Sequence, residues 1–318
     1  MKTSIGRDRR WMSAAARPIR LATVIVGPVP VSTTLVETSD GRVLGVESGG
    51  DPTGTPILSI HGWPGGRSLA GALLDEAARE GVHILAYDRP GYGRSSPNPG
   101  RTVASCAEDV RAITLALGID RLGVSGASGG GPHALALGAL LPDLVTGVAA
   151  ICSLAPHNAA GLNYLAGMQD EIAQFHRWLD HDLDAARQWA KSYRTEVEGY
   201  SAEQIERLVD EEFPDDPISQ AYFRSYTESM QSGLEPGIEG MIDDGVALHD
   251  SWGFEVGAIG APVRLWSGPG DVHVPLAHSR WLATQLPGVP LDASGTGGHL
   301  EIIATAEPVA HRWLAGQL

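Results

Sequence analysis

Ser128 stands in Gly126-Ala127-Ser128-Gly129-Gly130, with a glycine two residues to either side. A serine hydroxyl becomes a useful nucleophile when a positioned imidazole takes its proton and a carboxylate holds that imidazole. Flanking glycines suit such a serine because they let the backbone cross itself in a sharp strand-to-helix turn that exposes the hydroxyl. The other two groups follow downstream, acid first and histidine second. Asp271 ends the run Ser267-Gly268-Pro269-Gly270-Asp271, and His299 comes 28 residues later in Gly295-Thr296-Gly297-Gly298-His299-Leu300. Taken singly, the pentapeptide also fits a glycine-rich loop, Asp271 a Pro-Gly turn, and His299 a helix start. Together, in the order Ser128, Asp271, His299, they read as nucleophile, orienting acid and general base for acyl transfer. His273 and His278 are the nearest rivals for the base, but His273 is too close to Asp271 on one loop to face it. His133 belongs to the helix behind the serine and reads as a packed or surface residue.

Acyl transfer also needs two N–H donors for the oxyanion. One is expected from Gly129, directly after the serine and at a helix N-terminus, where the helix dipole favours negative charge. The other is expected in His61-Gly62-Trp63-Pro64-Gly65-Gly66. Pro64 has no N–H, and a residue preceding proline is biased to extended backbone, so Trp63 is the expected donor; its indole would then line the pocket, beside the plainer reading of a core tryptophan. Gly129 and Gly130 leave little side chain beside the serine, which suggests a widened acyl pocket.

The elements that position these groups are legible as alternating patterns. Residues 31–50 alternate like a hairpin with Asp40-Gly41 at the turn. Short apolar runs at Ile57–Ile60, Val82–Tyr87, Leu122–Val124, Gly147–Cys152 and Val263–Trp266 read as buried strands. Helical patterns occupy Ser68–Glu80, Val103–Leu117, Pro132–Leu141, Pro275–Gln285 and Leu300–Leu314. Strand and helix in alternation imply an α/β fold, a mostly parallel central sheet of about eight strands with helices on both faces.

Residues 155–250 break that rhythm: no strand-like run appears, and four or five helices are expected, one opened by a capping box of Ser201 and Gln204. This stretch carries 20 acidic against 6 basic residues and ten of the 19 aromatic side chains. It reads as a helical lid with charged outer and apolar inner faces, with Tyr164, Tyr222 and Met230 joining Trp63 as candidate pocket residues. The acidic surplus disfavours anionic substrates and leaves a cationic or amine-bearing one open, beside the plainer reading of solvated helix faces. His176, Asp180, His181 and Asp184 have helical spacing that suggests a metal; without a motif or cysteine partner they are read as surface charge, and no metal site is assigned. The division expected is thus a tail over 1–30, a core over 31–154 and 251–318, and a cap over 155–250.

His61–Gly66, Asp88-Arg89-Pro90-Gly91-Tyr92-Gly93-Arg94-Ser95, the Ser128 pentapeptide, Ser267–Asp271 and Gly297–Leu300 occur in the order and context of the α/β-hydrolase superfamily. The resemblance covers about residues 31–318. It implies that fold with a helical cap, the Ser128–Asp271–His299 triad, and hydrolysis without a cofactor; Arg94 and Ser95 would brace their loop. The His-Gly-Trp-Pro run is similar to the epoxide-hydrolase branch, yet the nucleophile there is aspartate, so the chemistry should follow Ser128. Prolyl-aminopeptidase relatives usually carry His-Gly-Gly-Pro-Gly and a tryptophan after the nucleophile, where this chain has Trp63 and Gly129. The implied function is an esterase-like serine hydrolase. Carbon–carbon bond hydrolysis, lactone hydrolysis, cyclisation by the same triad, or ligand binding without turnover remain open alternatives.

Composition narrows the partners. The chain has 318 residues and a net charge of −15, which argues against nucleic acid and anionic membrane surfaces. Cys106 and Cys152 cannot build a disulfide framework, and their spacing suits no zinc site. Basic residues before Leu21–Val26 resemble a secretory signal, but Pro28 and Pro30 interrupt the run and no clear cleavage site follows. A cytoplasmic protein acting on a small molecule is expected, with self-association left open.

Overall fold

Continuous apolar runs form parallel strands buried on both faces, while the alternating N-terminal residues form antiparallel ones. The computed structural model describes residues 18–25, 30–69 and 71–318. In chain order the first half holds β1 (Pro18–Ile25), β2 (Pro30–Glu37), β3 (Val43–Gly50), β4 (Thr55–Ile60), α1 (Gly71–Arg79), β5 (Val82–Tyr87), α2 (Cys106–Leu117), β6 (Leu122–Ala127), α3 (Gly131–Leu140) and β7 (Val145–Ile151). Then come α4 (Asp170–His181), α5 (Leu183–Gly199), α6 (Ala202–Glu212), α7 (Pro217–Leu234) and α8 (Glu239–His249). The chain closes with β8 (Val263–Trp266), α9 (Ala277–Gln285), β9 (Leu291–Asp292) and α10 (His299–Ala315).

Among the described residues the strands form one sheet in the order β1-β2-β3-β5-β4-β6-β7-β8-β9. Pairing is antiparallel from β1 through β5 and parallel from β5 to β9. The strands beyond the sequence reading lie at the edges. β9 has two residues, too few for a periodic signal, and β1 falls within the segment expected to be a tail, where it pairs with β2. The rest of that basic N-terminal segment, residues 1–17 and 26–29, lies outside the described residues.

Every residue of β6 and β7 is buried, as befits central strands. On one face of the sheet, Val110 and Ile113 of α2 and Leu135 and Leu137 of α3 join the core; on the other, Leu74 of α1 and Ile302, Ala306 and Ala310 of α10 do so. The crossover from β7 to β8 carries five helices, with a core of its own made of Phe175, Ala186, Ala190, Met230, Leu234 and Met241. Tyr92, from the loop after β5, plugs into that core and is fully buried. The start of α6 is the expected capping box: Ser201 Oγ accepts from Gln204 N at 3.3 Å, and Ser201 N donates to Gln204 Oε1 at 2.9 Å. Among the described residues no helix is long and apolar enough to cross a membrane.

Candidate active site

Ser128 sits where β6 turns into the helix of α3, with φ +54°. Left-handed backbone at a non-glycine residue costs on the order of 1–3 kcal/mol and persists only where surrounding packing enforces it. The enforcement is visible at the neighbouring glycines. A Cβ on Gly126 would lie 2.3 Å from the Gly130 carbonyl oxygen, and one on Gly130 would lie 2.3 Å from that of Ile60. The bare positions around the serine are therefore filled by backbone. The expectation that Gly129 and Gly130 widen an acyl pocket does not hold, because the space belongs to β4 and Trp63.

Asp271, on the loop after β8, is buried at 3% exposure. Its Oδ2 accepts from His299 Nδ1 at 2.8 Å, and its Oδ1 accepts from the backbone N–H groups of Val274 (2.8 Å) and His273 (2.9 Å). Burial opposes the charge on Asp271, but the hydrogen bonds from His299 and from the loop backbone hold its carboxyl below the usual range. His299 is the first residue of α10. With Nδ1 engaged by Asp271, Nε2 is the nitrogen left for chemistry. Cys152, just past β7 with φ +48°, lies beside this pair, and burial raises its thiol well above the usual value, so it stays protonated.

The rival histidines resolve by their partners. His273 packs its ring 4.9 Å from that of His299 and lines the same cavity, but its Nε2 lies 3.2 Å from Gln169 Oε1, and its link to Asp271 runs through its backbone N–H. Burial, aided by the nearby His299, pushes its pKa down to about 4. His278 is buried between Ala155 N–H, which donates to its Nδ1, and the Tyr164 carbonyl.

Gly129 and Trp63 meet: a Cβ on Gly129 would lie 2.5 Å from Trp63 Cβ and 3.2 Å from Trp63 N. The two expected donors thus lie on neighbouring backbones. The direction of the Trp63 N–H follows from its own peptide. Arg89 Nη2 donates to the Gly62 carbonyl at 2.8 Å, and Arg89 Nη1 donates to the His61 carbonyl. A planar trans peptide points its C=O and N–H in opposite directions, so Arg89 pulling on Gly62 O turns the Trp63 N–H the other way. Arg89 is buried and pairs with Asp244 of α8 at 2.5 Å, while Arg101 reaches the other oxygen of Asp244 at 3.0 Å. Burial works against the charge of Asp244, but Arg89 and Arg101 outweigh it and keep the carboxyl well below its usual range. His133, buried beside them, is pushed down to about 3 by burial and by Arg89; it is neutral and donates from Nδ1 to the Gly129 carbonyl at 2.9 Å. This support was not read from the sequence: Arg89 and Asp244 are 155 positions apart, and no local spacing links them. Ser95 braces its loop, accepting from Gly45 N at 3.0 Å and donating to the Asp88 carbonyl at 2.6 Å. Arg94 contributes its backbone N–H to Asp88 at 2.8 Å.

Ser128, Gly129, Trp63 and His299 open onto one cavity of about 240 Å³. Its walls include Phe175, Trp189, Tyr193, Leu248, Ile172 and Tyr226, together with Gln169, Glu171 and His176. Of the four expected pocket residues, Trp63 lines it and the other three do not. Tyr164 is buried against His157, His176 and His278; Met230 accepts from Tyr193 OH within the insertion core; and Tyr222 lines a second cavity of about 510 Å³ beside α1 and α10. Composition identified the aromatic segment, but which residues face inward depends on how each helix rotates against the core. His176 likewise departs from the surface reading: it is buried, whereas His181 and Asp184 are exposed.

A family described as alpha/beta hydrolase fold matches residues 55–212. The AB hydrolase superfamily protein YisY of Bacillus subtilis is 25% identical over 273 residues, covering 84% of this chain and 93% of that protein. A proline iminopeptidase of Xylella fastidiosa is 32% identical over 114 residues, which cover 34% of this chain and 35% of that one. A hydrolase from Pseudomonas aeruginosa superposes with a TM-score of 0.64 at 19% identity, covering 92% of this chain and 98% of its own.

Proposed function

The chain belongs to the α/β-hydrolase superfamily, and from that premise we propose that it is a serine hydrolase cleaving carboxylic esters of small, largely apolar substrates. Ser128 Oγ attacks the carbonyl carbon while His299 Nε2 takes its proton. Asp271 keeps the imidazole in the Nδ1–H tautomer and stabilises the imidazolium that forms. The N–H groups of Trp63 and Gly129 receive the developing oxyanion. His299 then protonates the leaving alcohol, and water activated by the same nitrogen releases the acid from the acyl-enzyme. The helices of 155–250 act as the cap over this site.

The observation that carries the reading is the buried Asp271–His299 pair at 2.8 Å, opening with the backbone-strained Ser128 onto one aromatic-walled cavity. A volume of about 240 Å³ is below the usual range for drug-sized ligands and favours short acyl groups. One further observation supports a second substrate class. Glu171 puts a carboxylate at the cavity wall, held by Trp189 Nε1 at 2.8 Å. It suits acyl groups that carry an amine, in line with the relatives named proline iminopeptidase.

The test is hydrolysis of p-nitrophenyl esters from acetate upward, beside proline p-nitroanilide, by wild type and Ser128→Ala. Turnover best on short esters and lost in the variant, with Tm unchanged, is expected. Equal rates in the two proteins would overturn the assignment. A preference for the anilide would select the amine-bearing class.

A further inference from the structure

Three imidazoles and a carboxylate gather at the base of the helical insertion, and one of the imidazoles, His176, also lines the cavity of the proposed triad. His249, the last residue of α8, places Nε2 2.7 Å from Oδ1 of Asp180 near the end of α4. His157, on the loop after β7, lays its ring against that of His249, with centroids 3.6 Å apart and planes at 33°. One donor atom from each of His157, Asp180 and His249 lies within 4.8 Å of the others. Behind them His176 stacks on His249 at 6.1 Å. Among the described residues the Nδ1 atoms of His176 and His249 are buried without a hydrogen-bond partner.

Neutral imidazole and carboxylate together are the donor set of zinc and its first-row neighbours. We propose that His157, Asp180 and His249 form a binding site for a divalent transition-metal ion, with Zn²⁺ as the fitting occupant, that fastens the two ends of the insertion together. A tetrahedral ion about 2.1 Å from each ligand holds its donors roughly 3.4 Å apart. The observed spacing therefore closes with side-chain shifts of about 1 Å. The ion enters between Nε2 and Oδ1, and His249 changes tautomer, its proton passing to Nδ1 so that the imidazole ligand stays neutral. Asp180 is one-third exposed, which leaves a path from solvent and room for water as the fourth ligand. The surplus of 14 negative charges in residues 155–250 favours cation approach.

His157 lies where the chain leaves the sheet and His249 shortly before it returns to β8, while Asp180 comes from the first helix between them. One ion there ties exit, return and α4 into a single junction. The test uses untagged protein stripped with EDTA and desalted, titrated with ZnCl₂ by calorimetry, with Tm followed in parallel. Expected are one ion per chain with micromolar Kd, a Tm raised by a few degrees, and no response to Mg²⁺. His157→Gln/His249→Gln should weaken binding at least tenfold and abolish the Tm shift. Asp180→Asn, at a partly exposed position, should do the same if the double variant does not fold. Absence of binding by wild type would overturn the proposal. So would undiminished binding by the variants, as when Cys152, Asp271 and His299 hold the ion and ester hydrolysis is inhibited instead.

Discussion

Replacing Gly129 by alanine adds one methyl group at the point where the two proposed oxyanion donors meet. The new Cβ would lie 2.5 Å from Trp63 Cβ, whereas ordinary contact begins at 3.4 Å. The two backbones must separate by about 0.9 Å, since Trp63 is held from behind by Arg89 through Gly62 O and by its indole N–H on the Met241 carbonyl at 2.8 Å. A donor that starts about 2.9 Å from the oxyanion and moves that far no longer makes a hydrogen bond. Loss of one such donor costs roughly 10²–10³ in kcat, about 2.7–4 kcal/mol of transition-state stabilisation. The overpacking itself costs about 1–3 kcal/mol of stability, small enough for the fold to survive. Steady-state kinetics on a p-nitrophenyl ester should therefore show kcat falling with KM little changed, and Tm slightly reduced. The sharper assay adds Trp63→Gly, which removes the Cβ that the methyl strikes. The double variant should regain at least tenfold in kcat over Gly129→Ala, a coupling of about 1.4 kcal/mol or more. The same exchange of bulk, glycine at one position and tryptophan at the other, distinguishes this chain from the prolyl-aminopeptidase pattern. A Gly129→Ala enzyme within threefold of wild type, or strictly additive losses in the double variant, would refute this account of the donors.

Asp271→Asn should keep the fold but lower kcat by about 10³–10⁴, because an amide can donate to His299 Nδ1 and favour the wrong tautomer; a loss below tenfold would remove Asp271 from its role. Burial pushes the Glu307 carboxyl from 4.5 up to about 7. Between those values the folded chain holds a proton that the unfolded chain releases, so stability falls as pH rises through that window. Glu307→Gln, which keeps an acceptor for Ser59 Oγ (3.0 Å in the native chain), should match wild type near pH 5 and exceed it near pH 8 by up to about 3 kcal/mol. Urea titrations at the two pH values check this, and a difference independent of pH would contradict it. Phe175→Ala opens the cavity wall and should move the ester optimum to longer chains at a cost of about 3–5 kcal/mol in stability. An unchanged chain-length profile in the folded variant would count against Phe175 as a wall.

The pairing of Asp271 with His299 and the place of Ser128 on the same cavity were legible because each residue stands at the end of an element whose pattern is local: a strand before the serine, a strand before the aspartate, a helix after the histidine. The fold class followed from the same alternation. Contacts between distant segments left no such trace. Arg89 and Asp244 meet only once α8 packs on the loop after β5. The inward residues of α4, α5 and α7 are decided by helix rotation, which put Phe175, Trp189 and Tyr193 at the cavity in place of Tyr222 and Met230, and Tyr164 sits on the loop before α4. β9 was too short to carry a signal, and β1 takes its order from pairing with β2 rather than from a pattern of its own.

The position of Asp244 bears on how this protein can be re-engineered. Substrate range in such a protein invites the transplantation of residues 155–250 from a donor enzyme. Cut at those boundaries, the graft would remove the partner of Arg89 and with it the tension on Gly62 O, so a chimera with a well-formed new pocket would still be catalytically slack. α8 is also inlaid in the scaffold: a Cβ on Gly240 would lie 2.5 Å from backbone atoms of Gly91. The seam that respects the wiring runs ahead of α7, near residue 216, because Ser229 Oγ of α7 accepts from Gly66 N and donates to Gly66 O, both at 2.8 Å; donor sequence then replaces only the helices before it, and Asp244 is kept from the host.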